Sequence, residues 1–379
     1  MKARPALPPD IKELMRLVRA GKLFAVQKWI ADGRPVTPPK PYWFSPLRVA
    51  VKSGFHSMIE LLLRLGVEQT ELNYMLNHAV WDGDFEVIQL LVEYGADIQA
   101  VDFEDVCRTG HPFIIRYFLD RGIDAETDYP FARALCFPKH RYLGVYMKYR
   151  HNLPTFNHQL NLALKYHAQH GNLKWVSLLL WAGGDGHLRL PMIGEPSDRN
   201  NDTSAIEDAL LRQHFDIVDK IGLNPRRDNL QRMFQTACNL GNSKVVDRLL
   251  PLGANPRGPK GDDSPMQSAI SHFRWEMEEQ YGFRSEASAK HAIGFVVKLA
   301  DLGARWAPDG YEVRRVRSLV CQFDRGFMQH MVREFIEHQV CARAVLYKLM
   351  DSPKVKEKFG YGHDKLLHQL KSGAPVTVI

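Results

Sequence analysis

The chain has 379 residues, 45% of them hydrophobic and 25% charged, and a formal net charge of +7. That balance excludes a wholly disordered chain. The basic excess falls far short of a DNA-packaging protein, yet it favours acidic partners, nucleic acid or anionic surfaces.

Taken in chain order, residues 11–34 open with a helix that turns Leu14, Leu17 and Val18 inward and Lys12 and Arg16 outward, as an N-terminal cap would. Residues 45–67, SPLRVAVKSGFHSMIELLLRLGV, read as two short helices around a glycine, with a second glycine closing the second helix. The same line returns in 73–98, 101–124, 130–151, 159–186, 203–223, 229–256, 264–306 and 312–338. The fifth of these ten units has Pro138 where its inner turn falls. Residues 341–379 read as one or two further helices and a tail, with Leu366, Leu367 and Leu370 as the apolar stripe that closes the 1–340 array. Two segments break the period. One is a Gly/Pro/Asp/Asn-rich connector at 184–203, and the other is 273–290, which swells the ninth unit by lengthening its helices.

Two interleaved glycine series mark the period. Inner glycines stand at Gly21, Gly54, Gly83, Gly110, Gly171, Gly241 and Gly326, the first four spaced by 33, 29 and 27 residues. Outer glycines stand at Gly33, Gly66, Gly95, Gly122, Gly183, Gly253 and Gly303. An inner glycine allows the left-handed backbone that reverses the chain between helices. Small residues such as Ala50, Ala79 and Ala237 let neighbouring first helices approach, while Ile59, Leu62, Leu63, Ile88, Leu91 and Val92 form second-helix apolar stripes. A helix pair this short buries its apolar face only by stacking on another.

These residues carry a family resemblance. Ser45-Pro46-Leu47-Arg48-Val49-Ala50 resembles the T-P-L-H-x-A opening of the ankyrin repeat. Leu61-Leu62-Leu63-Arg64-Leu65-Gly66 resembles its closing L-L-x-x-G-A, and Gly95-Ala96-Asp97 and Gly253-Ala254-Asn255 resemble the G-A-D/N that follows. The resemblance covers roughly residues 10–340 and is most specific at 45–67, 73–98 and 229–256. It departs from the family at His56, which follows Gly54 by two positions, and only Gly110-His111 keeps an adjacent pair. The resemblance implies an all-α repeat solenoid with short hairpin-like connectors and a concave face that binds protein.

Marks of chemistry are sparse. His167 and His170 form an H-x-x-H without the third ligand a zinc site needs. Gly183-Gly184-Asp185-Gly186 lacks the Gly-Lys-Ser/Thr of a phosphate cradle, and Asp262-Asp263 offers too few oxygens for calcium. No hydrolase, kinase or Cys/His/Asp constellation occurs. The expectation is a protein without catalysis, cofactor, metal or small-molecule substrate. Cys107, Cys136, Cys238, Cys321 and Cys341 are odd in number and lack any C-x-x-C pair, which argues against a disulfide framework and fits a reducing cytoplasm. No apolar leader and no run of roughly 18 apolar residues is present, so neither secretion nor a membrane span is expected.

In the family the ends of the first helices line the concave groove. Arg19, Lys52, Trp81, Asp82, Arg108, His170 and Arg325 precede an inner glycine by one or two positions. Arg212 takes that place in the seventh unit, where His214 stands for the glycine, and Lys139 takes it in the fifth. This mostly basic column with one tryptophan is the candidate partner-binding set, and an acidic protein surface is its expected complement. Ordinary solvated helix ends, where cations suit the helix dipole, give the same bias. Arg314, Arg315 and Arg317 form the densest basic patch, which suits nucleic acid or an acidic partner. The sequence therefore predicts a protein-interaction scaffold or inhibitor, of the kind found among effectors, immunity or antitoxin proteins and defence-complex subunits. A nucleic-acid-associated subunit is the alternative.

Overall fold

The computed structural model describes residues 8–38, 45–137, 143–198, 201–258, 264–278 and 286–377. Among them regular structure is helical, and β-structure is confined to isolated bridge residues. The chain forms two compact units. The first comprises Met1–His167, Ser177–Asp185 and Leu190–Asp202. The second comprises Ala168–Val176, Gly186–Arg189 and Thr203–Ile379.

In the first unit the helices come in pairs: α1 (Pro9–Arg19) with α2 (Leu23–Ala31), α3 (Pro46–Ser53) with α4 (His56–Leu63), and α5 (Gln69–Asp82) with α6 (Phe85–Glu93). They continue with α7 (Phe103–Thr109) and α8 (Pro112–Leu119), then α9 (Pro130–Cys136) and α10 (Leu143–Tyr149). Helices α11 (Phe156–Gln169) and α12 (Leu173–Trp181) give residues to both units. Local chemistry sets the ends. Ser45 Oγ accepts from the Arg48 N–H at 3.1 Å and Pro46 holds the first helical position, so α3 starts where the sequence opens its motif. Gly83, at φ +71°, ends α5, and Asp84 then caps α6 by accepting from the Val87 N–H at 3.1 Å. Val87, Ile88 and Leu91 are fully buried, and each such burial contributes about 1.5–3 kcal/mol.

The hairpin-like connectors that the sequence suggests are not formed as strand pairs among the described residues: the one between α6 and α7 carries a 3-10 turn at Ile98–Ala100, and side-chain amides hold the segments between pairs. Gln99 Nε2 donates to the Gly122 carbonyl at 2.8 Å while its Oε1 accepts from the Asp124 N–H at 3.0 Å. Asn77 Nδ2 donates to the Ala100 carbonyl at 3.0 Å. Gln159, fully buried, accepts from the Phe131 and Ala132 N–H groups at 2.9 and 3.3 Å and donates to the Ala125 carbonyl at 2.8 Å. Connector carbonyls and N–H groups, and the N–H groups in the first turn of α9, find their partners this way.

The second unit continues the pairing with α13 (Ala205–Leu211) and α14 (Phe215–Ile221), α15 (Leu230–Asn239) and α16 (Ser243–Leu249), α17 (Pro265–Met277) and α18 (Glu286–Asp301), and α19 (Gly310–Val320) and α20 (Arg325–Glu337). Helices α17 and α18 have 13 and 16 residues, and 279–285 of the 273–290 insertion lie outside the described residues. Three tail helices follow, α21 (Arg343–Met350), α22 (Pro353–Phe359) and α23 (His363–Ser372), where the sequence predicts one or two. Leu366 and Leu370 are buried among them, and Leu367 is half-buried.

Two register expectations are corrected here. The left-handed residue between α13 and α14 is Gln213, at φ +64°, and His214 is the N-terminal flank of α14. Gly326 is no inner turn either. It lies in the first turn of α20, which Asp324 caps by accepting from the Phe327 N–H at 2.8 Å. Among the described residues no helix is long and apolar enough to cross a membrane.

Candidate functional site

The first helices α3, α5, α7 and α9 of the first unit pack side by side, and their ends carry part of the predicted column. Lys52 is exposed at the end of α3. One turn earlier the Arg48 guanidinium, nearly buried, sits 4.6 Å from the centre of the Tyr74 ring. On α5 the rings of Tyr74, His78 and Trp81 follow one another edge-on, with centroids 4.7 and 5.5 Å apart. Spacings of four and three residues place them on one helical face. Trp81 is 63% exposed at the end of this row, and Asp82 is exposed beside it. Burial foremost, and then the Arg48 and Lys52 cations, hold His78 below the ordinary imidazole value against the opposing pull of Asp82. His78 Nε2 is buried without a hydrogen-bond partner.

Helix α7 adds Arg108, which is not a bare cation. It pairs with Glu104 at 2.6 Å and Asp105 at 3.4 Å, and its guanidinium lies 5.2 Å from the centre of the Phe137 ring. Glu104 also faces Arg133 of α9 at 3.8 Å. The structure thus brings Lys52, Trp81, Asp82 and Arg108 onto adjacent helices of one unit. Arg19 is exposed at the end of α1.

Other predicted residues fall elsewhere. His170 and Arg212 are exposed residues of the second unit, at the ends of α11 and α13. Arg325 opens α20, the second helix of its pair, with its guanidinium 5.4 Å from the centre of the Phe359 ring. It does not stand at a first-helix end, because the turn it was assigned to is not at Gly326. Lys139 lies outside the described residues. In the basic patch, Arg314 and Arg315 are exposed on α19, and Arg315 lies 3.8 Å from Glu278. Arg317 is committed within the chain. Its Nη1 donates to the Lys348 and Asp351 carbonyls at 3.3 and 3.0 Å, at the end of α21.

Sequence reasoning missed a feature of the 184–203 connector. Leu190 is buried against Ala132 and Leu162, with Ile193 packed on the same cluster, so 190–193 forms a strap over α9 and α11. Lys165, almost fully buried, donates from Nζ to the Leu190 carbonyl. Beneath the strap is a cavity of about 480 Å³, lined by Arg108, Arg133, Lys165, Phe137 and Met192 among others. The signal in the sequence was Leu190, Met192 and Ile193, which with Leu188 make four large apolar residues in a loop otherwise rich in Gly, Pro, Asp and Asn.

The motifs weighed for chemistry have structural uses. His167 is buried with its Nε2 2.8 Å from the Leu135 carbonyl oxygen, while His170 is exposed. Gly183, at φ +104°, makes the outer turn. A β-carbon at Gly184 would stand 2.9 Å from the Leu179 carbonyl oxygen. Asp262 and Asp263 lie outside the described residues. Among the described residues no group of three or more His, Cys, Asp or Glu is placed to hold a metal. All five cysteines are unpaired, and burial pushes the Cys136 and Cys341 thiols up to about 12.

The Ser-Pro start, the left-handed inner glycine and the left-handed outer glycine now stand on one helix pair, α3–α4. This pair resembles an ankyrin unit. No protein-family model and no curated protein matches the chain. Among solved structures it is similar to an ankyrin repeat domain from Acinetobacter baumannii AYE, at 14% identity over 55% of this chain and 95% of that one, with a TM-score of 0.29. It is also similar to the ankyrin repeat domain of human ASB11, at 17% identity over 65% of this chain and 99% of that one, again with a TM-score of 0.29. Superpositions that low carry no weight beside the helix pairs themselves.

Proposed function

We propose that the chain is a non-catalytic scaffold or inhibitor that holds a partner protein on the first-helix face of its first unit. The observation that carries this reading is the Tyr74–His78–Trp81 row, whose rings brace one another and leave Trp81 63% exposed. Rigid aromatic groups lose little entropy on docking, and exposed Trp and Arg dominate interface energies. Lys52 on one side and Arg108 on the other favour an acidic partner surface. Arg19, His170, Arg212, Arg325 and Lys139 stay in the proposal as further contact points. The working compartment we propose is the cytoplasm, in keeping with five unpaired thiols. An effector, an immunity or antitoxin protein and a defence-complex subunit would each use such a face.

A second reading, a nucleic-acid-associated subunit, is favoured by Arg314 and Arg315, exposed on one helix with Tyr311, which is itself 59% exposed.

Affinity capture from native lysate separates the two, using wild type and a Trp81→Ala, Arg108→Ala double variant. The expected outcome is one protein held by wild type at low and high salt and lost by the double variant. Equal retention by both would sink the first-unit face. Nucleic acid alone, stripped by salt and lost on Arg314→Ala, Arg315→Ala, would install the second reading.

A further inference from the structure

The cavity beneath the 190–193 strap lies wholly within the first unit and opens beside Arg108, so it adjoins the aromatic row without belonging to it. Its charge is lopsided. Arg108, Arg133 and Lys165 line it, and Glu104 is the one acid among the lining residues, with Asp105 next to it in sequence also reaching Arg108 at 3.4 Å. The Glu104 side chain is only 12% exposed and already serves both arginines, at 2.6 and 3.8 Å. The rest of the wall is largely apolar, with Phe137, Leu162, Met192 and Ile193. Cations gathered in a partly enclosed, apolar-walled site attract an anion more strongly than cations in open water do. A planar guanidinium such as that of Arg133 suits a carboxylate in particular. A volume of about 480 Å³ falls within the roughly 300–1,000 Å³ range of ligand pockets and has room for a few side chains.

From these observations we infer that the strap-covered cavity receives a peptide segment of the partner, with an acidic side chain among Arg108, Arg133 and Lys165 and a neighbouring apolar side chain against Phe137 and Met192. This inference rests on the scaffold reading and adds to it a specificity pocket. Tyr166, also in the wall, supplies a half-buried ring against which the peptide backbone packs. Arg108 joins the two surfaces, because it lines the cavity and stands one helix from Trp81.

The test uses the full-length chain to select from a random dodecapeptide phage library, followed by fluorescence polarisation with the enriched peptide. Selected peptides are expected to share an Asp or Glu next to a large apolar residue. Replacing that acid by its amide should weaken binding about tenfold, as should Arg133→Gln in the protein, the scale of a lost charge-assisted contact at a half-exposed site. Met192→Asp, which sets a like charge in the wall, should weaken the acidic peptide more than its amide counterpart. Circular dichroism of both variants checks that they remain folded. Three results overturn the inference. The first is enriched peptides without an acid, or no enrichment at all. The second is peptide binding lost on Trp81→Ala but unchanged by Arg133→Gln, which leaves the aromatic face standing and removes the pocket. The third is citrate binding as tightly as the peptide and displacing it, which makes this a small-anion site. Failure of the lysate capture above, with peptide selection intact, would instead count against the aromatic face alone.

Discussion

The inner glycines do two jobs at once, and Gly171 shows both. It holds φ +72°, and a β-carbon there would stand 2.8 Å from the ring of His214, which is itself 3.2 Å from the Gln169 carbonyl oxygen. Gly253 of the same unit holds φ +101° with open space around it. Gly253→Ala should therefore cost only the left-handed strain, about 1–2 kcal/mol. Gly171→Ala should cost that plus an overpacking term of about 1–3 kcal/mol. Urea unfolding of the two variants measures the difference, and equal costs would mean the imidazole swings aside freely. His78 makes the second residue-scale prediction. Its folded pKa is depressed below the ordinary imidazole value near 6.5, so between those values the unfolded chain binds more protons than the folded one. Its contribution to stability is full above that ordinary value and declines as pH falls through it, until the folded state takes up the proton too. An NMR titration should place the His78 midpoint below that of a free imidazole. A midpoint at or above it would contradict the partly buried position next to Arg48 and Lys52.

Among the elements, the connectors depend on single amides. Gln159→Leu removes the partners of the Phe131 and Ala132 N–H groups and of the Ala125 carbonyl in a fully buried setting. Orphaned buried polar groups cost about 1–3 kcal/mol each, so the expected loss is about 3 kcal/mol or more. Amide exchange at Phe131 should speed up before exchange at Val87, which a helix cap protects. No change at Phe131 would show that another group pins the start of α9. This dependence on long-range amides explains what the sequence could and could not reveal. Glycine turns are local, so Gly54 and Gly83 betray the helix pairs directly. Gln213 is left-handed without being a glycine, and Asp324 starts α20 by capping rather than by a glycine turn, so a glycine series cannot mark the register at either place. The Arg108–Glu104 pair is legible at i, i+4 spacing, and it partly neutralises one cation of the basic column. The apolar residues of the strap were legible, but not what they cover, because Leu190 meets Ala132 across 58 positions of sequence.

For the molecule as a whole, a net charge of +7 would steer the acidic partner proposed above from a distance, and salt would remove that steering once the screening length drops below about 10 Å. The aromatic row is different, because salt does not screen the burial of Trp81. Its neighbouring cations are also partly spent, with Arg108 already paired to Glu104 and Asp105. Between about 0.05 and 0.5 M salt, association with the captured partner should slow about tenfold while dissociation changes little, the usual division when charge guides encounter and packing sets residence. Trp81→Ala should do the reverse, raising the dissociation rate about tenfold or more with association nearly unchanged. Surface plasmon resonance at graded salt reads both rates in one series. Binding to nucleic acid through Arg314 and Arg315 would behave otherwise. Two phosphate contacts give a log–log salt slope of about −2, carried by the affinity itself and indifferent to Trp81. A slope of that size that survives Trp81→Ala would move the working face from the aromatic row of α5 to the basic helix α19.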